Sequence, residues 1–233
     1  MSDVADGGPD LLTDPILPAA PDGAGPLLHN REYRVQSYHL DAGRILVQGA
    51  VRDQKPPGIY IPDDPEPLTI HHMIVTLEVA LPSMEILSAS TEFRTFPNDV
   101  CPDIVEHYDN LVGLSLRRGF THQVRERFGG PRGCSHTTAL IQAMAPVAMQ
   151  SVRGHEAVEA MTAGLPHPLV ERPPDPSAAR RLTNTCHVWI EGGDRIRHMA
   201  EGGEEAQTLV VKRRLDELAG GSPASSGPGD ADG

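Results

Sequence analysis

Cys134 and His136 stand two residues apart at the end of Phe128-Gly129-Gly130-Pro131-Arg132-Gly133-Cys134-Ser135-His136, a glycine-rich turn that runs into an apolar repeat of helical period. A thiol and an imidazole delivered together to a helix start are equipped for metal ligation or for nucleophilic chemistry. Gly129, Gly130 and Gly133 admit backbone angles that other residues resist, and Pro131 stiffens the turn, which marks it as a built loop. Ala139, Leu140, Ala143, Met144, Val147 and Ala148 then recur at helical spacing, with Ser135 the expected N-cap. Cys134 accordingly falls near the positive end of a helix dipole, where a thiol loses its proton more readily. The competing assignment is burial alone, since free cysteine is often a core residue and a neighbouring histidine can simply hydrogen-bond the turn.

His71 and Cys101 complete a candidate ligand set, His71, Cys101, Cys134 and His136, of the thiolate and imidazole type that zinc and iron favour. No Cys-x-x-Cys pair is present, and the ligands are separated by 30 and 33 residues. Only the fold can bring such positions together. His72 and Glu92 are the candidate acid–base groups and Tyr60 a candidate to close the pocket, although an exposed strand carboxylate is more often plain surface. The three cysteines, Cys101, Cys134 and Cys186, cannot pair completely, which fits thiols in a reducing compartment better than a secreted disulfide framework.

The elements that must carry these residues follow from the pattern. Residues 32–39 and 44–51 are extended in character and joined by Asp41-Ala42-Gly43, which predicts a hairpin. After the proline-rich passage 56–67, Met73, Val75, Leu77 and Val79 alternate, so His71 should share their face and His72 should point away. Residues 86–96 return as the second strand of that hairpin, and Phe96-Pro97-Asn98-Asp99 ends it just before Cys101. Helical patterns follow at 102–112, 119–128, 136 to about 152, 155–163 and 207–218, while 182–191 could be an added strand or an arm. Strands followed by helices predict an α+β fold, an antiparallel sheet of two hairpins followed by a helical half.

Composition bounds the rest. A chain of 233 residues supports one domain, drawn over 29–215, between tails at 1–28 and 216–233 whose small and acidic residues predict disorder. The net charge of -12 argues against nucleic acid and against anionic membranes as partners. No apolar run is long enough to span a bilayer, and the acidic start lacks the pattern of a signal peptide, so a cytoplasmic location is expected. A homodimer is compatible with this surface.

Three local strings resemble a widespread bacterial domain family of unknown function of the DUF2889 type. They are His71-His72-Met73, Phe96-Pro97-Asn98-Asp99-Val100-Cys101 and Gly133-Cys134-Ser135-His136. The resemblance covers roughly residues 30–200 and implies no assigned activity. More distantly, Leu111-Val112-Gly113-Leu114-Ser115-Leu116, Gly133-Cys134-Ser135 and the small-residue helix through Ala148 resemble the NifU/IscU-type iron–sulfur scaffold. That resemblance implies a NifU/IscU-like core with His71 near the scaffold's strand-borne ligand, Cys101 at its middle cysteine and Cys134 at its last. The scaffold's first cysteine has no counterpart here, and His136 follows Cys134 where the scaffold's histidine precedes it, which leaves a mononuclear site.

Three functions are consistent with these residues. The first is a zinc- or iron-dependent enzyme, a lyase or hydrolase, acting on a small organic substrate. A noncatalytic metal or iron–sulfur handling protein is the second, and a structural or interaction module with buried cysteines the third.

Overall fold

The alternating apolar residues build the sheet as their spacing requires. In the computed structural model, which describes residues 16–117, 119–168, 179–180, 182–201 and 209–220, four strands run β1 (Asn30–Asp41), β2 (Arg44–Lys55), β3 (Leu68–Ala80) and β4 (Ile86–Thr95). They form one antiparallel sheet in the order β1-β2-β3-β4. The sheet and the helices that follow it make an α+β architecture, as expected. Ile45, Val47 and Val51 of β2 and Met73, Val75, Leu77 and Val79 of β3 are all buried on one face, the period-2 signature of a sheet with one covered side.

A 3₁₀ helix (Cys101–Leu111), helix α1 (Phe120–Phe128), a short 3₁₀ turn (Gly130–Arg132) and the long helix α2 (Ser135–Thr162) come next. By its contacts the chain divides into two compact units, Met1–Met149 and Gln150–Gly233. The division falls inside α2, whereas the sequence grouped 29–215 together. The tails drawn at 1–28 and 216–233 fall outside the described residues except for 16–28, which are exposed, and 216–220, which continue the last helix and its turn.

In the first unit, Leu140, Ile141, Met144 and Ala148 of α2 are buried. At Gly49 side chains of α2 lie directly on the β2 backbone, because a Cβ there would meet the Met144 side chain at 2.9 Å and Leu140 Cδ1 at 3.0 Å. In the second unit, Ala179 and Met199, the latter in a helix at Asp194–Ala200, form a small buried cluster with Leu182 and Trp189 packed against it, and a further helix spans Leu209–Leu218.

Three local expectations are corrected. The helical patterns at 136–152 and 155–163 form one continuous helix of 28 residues, because Gly154 inside it keeps a helical backbone instead of breaking it. The segment 182–191 contributes a 3₁₀ turn at His187–Trp189 and no strand. Helix α2 opens at Ser135, so Cys134 is the flanking residue, and its carbonyl accepts the Thr138 N–H at 2.9 Å.

Replacing Gly49 by Val drives a branched side chain into the Met144 and Leu140 contact. Overpacking of this kind costs about 1–3 kcal/mol, so the urea midpoint is expected to fall with the m-value unchanged; an unaltered midpoint would show that α2 does not press on β2 there.

Candidate functional site

The strand register sets three side chains in a row. Arg31 of β1 pairs with Asp53 of β2, and Asp53 pairs with His71 of β3. Residues directly opposite one another in antiparallel strands project to the same face, so the row lies on the covered side with Val51 and Met73. A bulge beside it, between Asp53 and Gln54, opposes Asp53 to His71 and Gln54 to Thr69, a device that re-aims side chains at strand ends.

Asp53 is the hub. Its side chain is 1% exposed, and a buried carboxylate must be met by donors. Arg31 Nε donates to Oδ1 at 2.6 Å and Nη2 to Oδ2 at 2.7 Å, the bidentate arrangement that matches guanidinium to carboxylate. Nδ1 of His71 lies 3.1 Å and Nε2 of His136 lies 3.2 Å from Oδ2, and His29 Nε2 is 3.5 Å from Oδ1. The Arg31 hydrogen bonds, reinforced by its charge and opposed by burial, hold the Asp53 carboxyl down at about 2. His136 is pushed below its ordinary value, first by burial and then by the neighbouring His71 and Arg31, with Asp53 pulling the other way.

Each imidazole thus meets Asp53 through one ring nitrogen, and the two rings stack with centroids 3.9 Å apart. For His136 the other nitrogen, Nδ1, lies 3.7 Å from Cys134 Sγ. Cys134 is fixed through its backbone: its N–H donates to Tyr108 Oη at 2.7 Å, and Tyr108 Oη lies 3.2 Å from the Cys134 carbonyl oxygen. Tyr108 is itself clamped by stacking on Phe128, with centroids 5.1 Å apart. Glycine serves the turn differently at different positions. Gly130 has a φ of +61°, the left-handed region that glycine tolerates, while Gly133 is extended and needed for room, since a Cβ there would meet the Phe128 carbonyl oxygen at 2.4 Å.

His71, His136, Cys134 and Cys101 line one cleft of about 340 Å³, whose other walls include Met73, Phe93, Pro97, Val100 and Ile104. The four ligand candidates therefore border the same cleft. Their donor atoms are not equally close: Asp53, His71 and His136 present ligand atoms within 4.8 Å of one another, and among the described residues no group that includes a cysteine is as tight.

The other candidates lie elsewhere. His72 pairs with Arg52 on the opposite face of the sheet, where burial first and then Arg94 and Arg52 lower its pKa. Glu92, exposed, binds Arg94, with Nε to Oε1 at 2.8 Å. Tyr60, also exposed, sits under Lys55, whose Nζ is 4.7 Å from the ring centroid. None of the three lines the cleft. Cys186 is exposed in the second unit.

Residues 29–150 match the family described as a protein of unknown function, DUF2889. The chain belongs to this family. The family's span contains the whole of the site, from Arg31 through Asp53, His71 and Cys101 to Cys134 and His136. No curated protein and no solved structure matches the chain. Among the described residues no helix is long and apolar enough to cross a membrane.

Arg31 and Asp53 were missed from the sequence, although one signal was present. Ile45, Val47, Val51 and Asp53 alternate along β2, and a carboxylate in phase with an apolar face must have buried partners.

Because the Asp53 carboxyl sits at about 2 in the folded protein and at 3.8 by its ordinary value, its contribution is present above about pH 4 and lost as the pH falls toward about 2. The contribution is about 2 kcal/mol. In chelator-treated protein, Asp53→Asn is expected to lose at least that much at pH 7 and to show a shallower fall in melting temperature between about pH 5 and pH 2. Parallel curves for the two proteins would remove Asp53 as the hub.

Proposed function

We propose that the cleft is the active site of a zinc- or iron-dependent enzyme, a lyase or hydrolase acting on a small organic substrate. The observation that carries this is the orientation of two imidazoles by one buried carboxylate toward a cleft that also holds two thiols. Metal-ligating histidines characteristically donate their second ring nitrogen to a carboxylate, which fixes ring and tautomer. Asp53 has that relation to both His71 and His136.

Asp53 fits the supporting role better than direct ligation, because Arg31 already occupies both of its oxygens and a cation there would have to share the carboxylate with a guanidinium. The Cys134 Sγ to His136 Nδ1 distance of 3.7 Å is near the edge of a tetrahedral zinc site, about 3.5 Å for ordinary zinc–sulfur and zinc–nitrogen bonds. Cys134 and His136 are thus the best-supported ligands, with His71 and Cys101 as the further candidates on the cleft wall. A metal held there supplies Lewis acidity toward a carbonyl or a water activated at neutral pH. Of the chain's own groups, Asp53 and Arg31 keep the imidazoles in register and Tyr108 keeps the thiol in place. An iron–sulfur scaffold finds less support, since only Cys101 and Cys134 of the three cysteines line the cleft.

Elemental analysis of untagged, chelator-free protein is expected to find near-stoichiometric zinc or iron in the wild type and a loss of at least tenfold in Cys134→Ser. Absence of metal from wild-type protein, even after anaerobic reconstitution, would overturn the assignment.

A second reading is favoured by one contact series: Cys134 Sγ lies 3.7 Å from His136 Nδ1, and His136 Nε2 lies 3.2 Å from Asp53. This is the order of nucleophile, base and orienting carboxylate used in thiol catalysis. In chelator, half-buried Cys134 would then react with iodoacetamide faster than exposed Cys186, and His136→Gln would slow it at least tenfold. A Cys134 slower than Cys186 in both proteins would dismiss the relay.

A further inference from the structure

The cleft has a two-part lining. Met73, Phe93, Pro97, Val100 and Ile104 supply apolar lining, and His71, His136, Cys101, Cys134, Ser135 and Asn98 supply polar lining, while among the described residues no Lys, Arg, Asp or Glu lines it. Asp53, which both cleft imidazoles contact, is itself neutralised by Arg31 through two hydrogen bonds. If Cys101 and Cys134 hold a divalent metal as thiolates, that charge is balanced as well. From this lining we infer that the cleft takes an uncharged small molecule with one aromatic ring and a carbonyl group, the ring against Phe93 and Ile104 and the carbonyl toward His71, His136 and Cys134. The inference rests on the cleft being the active site proposed above and names its substrate class.

Size and energetics select this class. A volume of about 340 Å³ is at the small end of the range for ligand pockets, about 300–1,000 Å³, which leaves room for a single substituted ring. An ionised carboxylate would give up its hydration without meeting a lysine or arginine on the cleft wall. The dipole at the start of α2 offsets only a small part of that loss for an anion. The neutral compound therefore binds better, and its carbonyl oxygen has neutral hydrogen-bonding partners in the polar lining. Phe93 and Ile104 are half-buried, so each has apolar surface left for a ligand to cover.

Titration of the isotope-labelled full chain with acetophenone, benzoate and glycerol, followed by NMR, tests this directly. Acetophenone is expected to bind saturably and at least tenfold more tightly than benzoate, shifting the Phe93, Ile104 and His136 signals, with glycerol inert. Ile104→Lys is expected to weaken acetophenone at least tenfold and to narrow or reverse its advantage over benzoate. If that variant does not fold, Phe93→Leu is expected to weaken acetophenone while leaving metal content unchanged. Benzoate binding as tightly as acetophenone, or no saturable shift from acetophenone at its solubility limit, would overturn the inference. Metal content measured on the same samples separates the two proposals: saturable acetophenone binding in protein that never takes up metal would remove the metal and keep the ligand class.

Discussion

A carboxylate buried at the edge of an apolar sheet face needs its charge answered, and Asp53 is answered from three elements at once. Arg31 comes from β1, His71 from β3 and His136 from the first turn of α2. This one requirement ties the edge of the sheet to the start of the long helix. It also makes register matter, because sliding β1 or β3 by one residue would turn Arg31 or His71 to the other face and take a partner from the charge. Replacing such a buried, paired charge is more tolerable than orphaning it, so the four side chains behave as a unit.

The same pairing prepares the cleft. Imidazoles left to themselves rotate and exchange tautomers; held by one nitrogen on Asp53, the two rings stack and turn their other nitrogens to fixed positions. The thiol is held by a separate mechanism that acts on its backbone. Tyr108, clamped on Phe128, bonds both the N–H and the carbonyl of Cys134, and Gly133 makes room for that approach. Two independent supports thus converge on Cys134 and His136, and both rest on regular elements with buried anchors. That is the construction expected where geometry must be kept to fractions of an ångström.

Much of the frame was legible in the linear chain. The alternation of Met73, Val75, Leu77 and Val79 placed β3 and put His71 on its covered face, and Gly133-Cys134-Ser135-His136 marked a helix start next to reactive groups. These are local properties, set by side-chain periods of 2 and 3.6 and by turn chemistry. The chain's 28-residue helix was less legible, because Gly154 looks like a break in sequence yet occupies an ordinary helical position.

The sequence by itself therefore determined the strands, the helix start, the α+β class and the residue types available for chemistry. Which of them meet was decided only by the tertiary structure. His71 and His72 are adjacent in the chain and differ only in the face they take, yet one joins Asp53 and the other joins Arg52 on the far side. Arg31, Asp53 and His136 are separated by 22 and 83 residues and carry no mutual spacing signal, since cross-strand pairing and the landing of α2 on Gly49 bring them together. The physical reason is that a charge on an apolar face announces a need for partners but not their identity, and long-range register, which no local period encodes, supplies them.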